Sequence, residues 1–184
     1  MKNIEPPTVI AIAGVTGGGK TTVTNQLIQE LSHSKALYFD DYDFIGPKDI
    51  IDWVENGADY NRWDLTPLIR DLEELYNQQL DYIVLDFPFA YKHVKMRKFI
   101  DFAVFIDTPL DIALARRVTR DFKTAPAENI LSDMENYISQ GRKGYIEMLN
   151  TIKPNSDVII DGTPPISEIV NLISKKVGKM RGEF

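Results

Sequence analysis

Short apolar runs that end on an acidic residue or a glycine alternate along this chain with longer segments whose apolar residues recur at spacings of three and four. Four runs are clear, at 8–14, 82–86, 102–107 and 157–161, and 36–40 is a weaker fifth. They are nearly continuous rather than alternating, which predicts strands buried on both faces of a parallel sheet. Residues 21–31, 65–79, 109–122 and 166–177 carry the helical spacing, and Pro109 and Pro165 suit helix starts. Parallel strands require such crossovers, so the pattern predicts an α/β chain of three layers, α/β/α, around a five-stranded parallel sheet.

Two stretches do not read simply as crossovers. Residues 41–61 are rich in Asp, Tyr, Gly and Trp and predict a loop with a short helix at about 47–55. Residues 123–153 are mostly polar, with Pro126, Gly141 and Gly144 as expected breaks. Sites in open α/β sheets lie beyond the carboxyl ends of the strands, so both are candidate substrate-binding or lid segments. The tail, 175–184, alternates basic and small residues and is expected to fray.

The 184 residues suit one domain, with an apolar fraction of 43% and a charged fraction of 26% that are ordinary for a globular chain. A formal charge of −6 without a basic block argues against a nucleic-acid partner. The absence of cysteine excludes disulfides, thiolate metal sites and a Cys nucleophile. No apolar run reaches membrane-spanning length and residues 1–7 lack an apolar leader, so the expected location is the cytoplasm, with no membrane partner. A homo-oligomer is compatible with the sequence.

Directly after the first run, Gly14-Val15-Thr16-Gly17-Gly18-Gly19-Lys20-Thr21 fits G-x-x-x-x-G-K-[ST] and leads into a helical segment. Its glycines let successive N–H groups converge on phosphate oxygens, and the helix points its positive end at the same anion. Lys20 is expected to reach the β- and γ-phosphates of ATP, Thr21 to place its hydroxyl on Mg²⁺, and Thr22 to touch an α-phosphate oxygen. The loop predicts nucleotide binding without separating kinase from switch. Asp43-Phe44-Ile45-Gly46 fits the D-x-x-G of a GTPase, but no N-K-x-D follows and Asp43 lies past the strand end. Arg116, Arg117 and Arg120 fall near one another on a predicted helix, where guanidinium forks suit a transferring phosphoryl group, although pairing with Asp111 and Asp121 is the simpler reading.

The segments 12–22, Asp40-Asp41-Tyr42, 115–121 and 145–162 together resemble the uridine kinase and nicotinamide riboside kinase group of P-loop kinases over nearly the whole chain. The resemblance implies the P-loop NTPase fold with a substrate-binding insert at about 41–64 and a small helical lid at about 116–145. It implies Asp40 as general base on the acceptor hydroxyl, with Asp41 a close competitor and Asp43 a weaker one. Asp86, ending an apolar run, matches the acid that steadies Mg²⁺ or its water, although Asp86-Phe87-Pro88 stands where that group commonly has Glu then Gly. Trp63-Asp64 resembles the aromatic–Asp pair that holds a ribose, with Tyr60 and Arg62 nearby; Asp64 also suits a helix N-cap. Tyr91 and Phe89 are candidates to stack on a base or to join the core. Arg116, Arg117 and Arg120 carry over as lid arginines and Arg142 as a weaker one; His33 and His93 read as surface or helix residues.

The implied activity is ATP-dependent transfer of the γ-phosphoryl to the 5′-hydroxyl of a ribonucleoside such as uridine or cytidine. Alternatives are a kinase for another small alcohol, such as pantothenate, nicotinamide riboside or a sugar phosphate, and a non-catalytic nucleotide-binding regulator.

Overall fold

In the computed structural model, which describes residues 6–182, all five expected strands form and pair in parallel. β1 (Thr8–Ala13), β2 (Ser34–Tyr38), β3 (Tyr82–Asp86), β4 (Phe102–Asp107) and β5 (Val158–Asp161) stand in the order β2-β3-β1-β4-β5. Side chains alternate across a strand, so the continuous apolar runs feed two cores. Val9, Ala11, Ile83, Leu85, Ala103 and Phe105 face one way, onto α3 (Thr66–Tyr76) and a group of aromatic rings. Ile10, Ile12, Val84, Val104 and Ile106 face the other way, onto α1 (Lys20–Glu30) and α7 (Ile166–Arg181). Leu68, Leu72 and Leu75 recur at helical spacing on α3, as do Ile169, Val170, Ile173 and Val177 on α7. Each such side chain contributes roughly 1.5–3 kcal/mol when fully withdrawn from water.

The two outer strands depart from the expectation of burial on both faces. β2 holds no fully buried residue and begins two residues earlier than expected, and β5 exposes Val158, Ile159 and Asp161 to varying degrees. An edge strand has a neighbour on one side only, which leaves its outer flank nearer to water.

Register positions the chemistry. Asp86 at the end of β3 lies opposite Ile12 of β1 on one side and Tyr38 of β2 on the other. The loop that starts at Gly14 and the short 3₁₀ turn Phe39–Asp41 therefore leave the sheet on either side of Asp86. This is the carboxyl edge of the sheet, where ligands bind in open α/β folds.

After α2 (Ile50–Glu55) and α3 come α4 (Leu110–Asp121), α5 (Ala127–Asn136) and α6 (Arg142–Glu147). The expected helix at 47–55 starts only at Ile50, where the Asp49 carboxylate accepts from the N–H groups of Ile51 and Asp52. Gly141 and Gly144 do not break the chain: α5 and α6 are joined through the wide turn Tyr137–Gly141, a second such turn at Met148–Ile152 follows, and Gly141 keeps right-handed helical angles. The tail is also more ordered than expected, for α7 continues to Arg181, whose guanidinium reaches the Asp81 carbonyl at 2.9 Å and lies over the Tyr82 ring. Residues 1–5, 183 and 184 lie outside the described residues. Among those described, no helix is long and apolar enough to cross a membrane.

Candidate active site

The loop between β1 and α1 borders a cleft of about 430 Å³, lined by Thr16, Gly17, Gly19, Lys20, Thr21, Thr22, Phe39, Asp40, Asp86, Pro88, Arg116 and Arg120. Of the loop residues expected to hold a nucleotide, Gly14, Val15 and Gly18 shape the turn without lining the cleft. The Val15 carbonyl accepts the Gly18 N–H at 2.9 Å and Lys20 Nζ at 3.4 Å, and Thr108 Oγ1 donates to the Gly18 carbonyl at 2.8 Å. Gly17 has φ +78°, and a Cβ there would overlap the Ala113 carbonyl oxygen of α4. Only glycine meets both conditions, so the loop and α4 are held in direct contact.

Thr21 Oγ1 donates to Asp86 Oδ2 at 2.6 Å, joining the two expected metal-binding residues across the sheet edge. Burial pushes the Asp86 carboxyl above its ordinary range, against the opposing pull of the Thr21 hydrogen bond and the Lys20 charge. Burial likewise pushes the Lys20 ammonium below its ordinary value, partly offset by Asp86 and Asp40. Both groups are thus destabilised as charges by burial, and a polyanion with its counter-cation would relieve both.

α4 supplies the arginines. Arg116 and Arg120, one turn apart, line the cleft. Arg120 also pairs with Asp121, Nε to Oδ1 at 2.6 Å, as the simpler sequence reading allowed, and Arg116 lies 3.5 Å from the Gly162 carbonyl. Arg117 turns away from the cleft. It makes a two-pronged pair with Asp133 of α5, Nη1–Oδ1 3.1 Å and Nη2–Oδ2 2.5 Å, with both side chains mostly buried. Arg142 is exposed and does not line the cleft; it borders a separate recess with Lys143, Glu147 and Asn150.

A second cavity of about 250 Å³ adjoins the first, sharing Thr16 and Phe39 with it. Its walls are the rings of Phe39, Trp53, Tyr60, Trp63, Phe89 and Tyr145 with Val15, Ile50 and Met148, and its one charged side chain is Glu147 from the end of α6. The rings pack edge to face or tilted, Trp53 to Tyr60 at 5.0 Å and Tyr60 to Phe89 at 5.1 Å between centroids. Gly46 admits Trp63, for a Cβ there would meet its ring at 2.6 Å. The D-x-x-G match at 43–46 thus ends on a glycine with a packing reason.

The remaining expected residues stand elsewhere. Asp64 lines neither cavity; its Oδ1 accepts from the Thr66 N–H at 3.1 Å and from its hydroxyl at 2.5 Å, closing the turn into α3. Asp41 follows Asp40 on the same turn but does not line the cleft. Tyr91 donates to Asp157 at 2.5 Å and lines neither cavity, whereas Phe89 joins the aromatic wall. Arg62 is exposed. Asp107 accepts from Lys153 Nζ at 2.6 Å and Asp161 closes a turn on the Thr163 N–H.

His93 is the clearest departure. It is buried at 2% exposure and joins the Trp63 carbonyl at 3.0 Å and the Met96 N–H at 3.4 Å. Accepting at Nδ1 from Met96 leaves Nε2–H to donate to Trp63, a neutral ring, and burial lowers its pKa accordingly. Sequence reading also passed over Phe39, Trp53, Pro88 and Glu147 as site residues. Phe39, beside Asp40, carried the one available signal.

No protein-family model matches the chain. The uridine kinases of Staphylococcus aureus strains JH9 and Newman are each 27% identical to it over 197 aligned positions, spanning 92% of this chain and 95% of theirs. Among solved structures, a deoxyadenosine kinase from M. mycoides superposes with a TM-score of 0.55 at 16% identity, covering 94% of this chain and all of that one. A gluconokinase from Sinorhizobium meliloti 1021 gives 0.52 at 18% identity over 90% and 88%. The likeness to uridine kinases extends along nearly the whole chain, and the fold is the three-layer fold of the P-loop kinases.

Proposed function

Taking as premise a uridine kinase-like P-loop phosphotransferase with a hydroxyl acceptor, we propose that this chain transfers the γ-phosphoryl of ATP to the 5′-hydroxyl of a ribonucleoside. The observation that carries the reading is the position of Asp40. It lines the phosphate cleft, while its neighbour Phe39 walls both that cleft and the aromatic cavity. An acceptor with a flat ring in the cavity would reach Asp40 with its hydroxyl.

The donor set suits the cation that accompanies ATP. Thr21 and Asp86 offer only oxygen, 2.6 Å apart, and Lys20 is the one positive charge among the described residues that acts on the buried Asp86 carboxyl, which fits a hard divalent ion such as Mg²⁺. When bound, Mg²⁺ neutralises phosphate charge and polarises the phosphoryl oxygens.

Lys20 and the loop N–H groups orient the β- and γ-phosphates. Asp40 orients the acceptor hydroxyl and takes its proton as the new oxygen–phosphorus bond forms and the bond from the γ-phosphorus to the β,γ-bridging oxygen breaks. Arg116 and Arg120 match the charge spread over the transferring group. α5 and α6, with the aromatic cavity beneath α6, form the lid over the acceptor. The test is ADP release, followed by a coupled assay, with a panel of ribonucleosides, pantothenate and sugars. Riboside-dependent release supports the reading, and release with sugars or pantothenate alone overturns it.

A further inference from the structure

The aromatic cavity carries one charge, and its sign is informative. Glu147 is its only acidic or basic residue, whereas the adjoining cleft holds Lys20, Arg116 and Arg120 beside Asp40 and Asp86. Its carboxylate is fixed on one side only. Oε1 lies 3.1 Å from the Tyr60 hydroxyl and 2.9 Å from Thr151 Oγ1, and those two hydroxyls are 2.9 Å apart. Oε2 has no hydrogen-bond partner among the described residues. Tyr60 is itself buried and clamped between Trp53 and Phe89, so the triangle holds the carboxylate in place rather than leaving it to rotate in solvent.

We infer that Glu147 selects the acceptor by its far edge, taking a planar ring that presents N–H donors or positive charge and disfavouring one that presents carbonyl oxygens. The electron-rich faces of the surrounding rings act in the same direction, since they attract cationic and donor-bearing rings. A carboxylate accepts well from an exocyclic amino group such as that of cytosine. Uracil carries oxygen at the equivalent position, and its single ring N–H is flanked by two carbonyls that the carboxylate repels. No basic side chain lines the cavity to receive an acidic acceptor. The inference rests on the riboside reading above and narrows it.

The experiment compares kcat/KM for cytidine and uridine, with ATP and Mg²⁺, in the wild type and in Glu147→Gln and Glu147→Ala. One such contact discriminates by about 5–150-fold, and the wild type should favour cytidine by a factor in that range. Both variants should lose about that factor for cytidine, mainly in KM, while uridine changes by less than about threefold and the ratio collapses. The wild-type ratio needs no variant and is decisive by itself. Equal use of the two, preference for uridine, or an equal loss of both in the variants overturns the inference while leaving the riboside reading standing. Absence of turnover with any riboside overturns both.

Discussion

Gly17→Ala isolates the contact that holds the phosphate loop against α4. The added Cβ would overlap the Ala113 carbonyl oxygen and stand 2.9 Å from its carbon and 3.2 Å from Arg117 Cβ, at a residue with φ +78°. Left-handed backbone costs an L-residue about 1–2 kcal/mol. Forcing α4 outward adds the cost of overpacking, about 1–3 kcal/mol, for a total of roughly 2–5 kcal/mol. Gly57→Ala provides the comparison, because Gly57 has φ +93° but nothing within 4 Å of a Cβ, so only the backbone cost of about 1–2 kcal/mol applies. Urea denaturation of the two variants measures the difference. Calorimetric titration with a non-hydrolysable ATP analogue measures the consequence for the site. Gly17→Ala should bind at least about tenfold more weakly, since a shift near 1 Å in a positioning element costs on the order of a hundredfold in function. Gly57→Ala should bind as wild type does. Equal destabilisation in both variants with unchanged nucleotide affinity would refute the reasoning.

Other consequences follow from the same geometry. Asp133→Ala leaves the mostly buried Arg117 guanidinium without its two-pronged partner and should cost about 1.5–3 kcal/mol, read by denaturation, with Asp133→Glu recovering part of it. Asp86→Asn should raise the Mg²⁺ concentration for half-maximal nucleotide binding about 10–100-fold, read by titration at fixed ATP analogue. Burial lowers the pKa of His93, so the folded state holds fewer protons than the unfolded one; the contribution of His93 is fully present above its unfolded pKa near 6.5 and is lost as pH falls below it. The wild type should therefore lose more melting temperature between pH 7.5 and 5.5 than His93→Gln, whose amide both donates and accepts but does not titrate, and equal losses would contradict the assignment.

The central strands were legible because burial on both faces writes a continuous apolar run. β3 and β4 begin and end where the runs do, whereas the edge strands β2 and β5, sheltered less, drift by one or two residues. The phosphate loop was legible because its motif is written in consecutive residues. The aromatic cavity was not, since Phe39, Trp53, Tyr60, Trp63 and Phe89 are separated along the chain and only the topology gathers them. Glu147, a lone acid in a polar helix, has the sequence signature of a solvated residue, and His93 between Lys92 and Val94 gives no sign of burial. Gly141 and Gly144 misled for a different reason. Glycine permits a break without imposing one, and here Gly141 keeps right-handed helical angles within the continuous run from α5 to α6. Arg116, Arg117 and Arg120 share a helix, yet the choice between cleft and ion pair depended on where α5 carries Asp133.

Asp40 lines the phosphate cleft beside Phe39, which also walls the aromatic cavity, and its removal tests the proposed chemistry most directly. Asp40→Asn keeps the size of the side chain and deletes its basicity. The measurement is single-turnover phosphoryl transfer to the best riboside acceptor, alongside the dissociation constant for the ATP analogue. General-base catalysis contributes about 10²–10⁴-fold, so the rate should fall by that factor while nucleotide affinity stays within about threefold of wild type. A rate near that of the wild type would contradict the role given to Asp40.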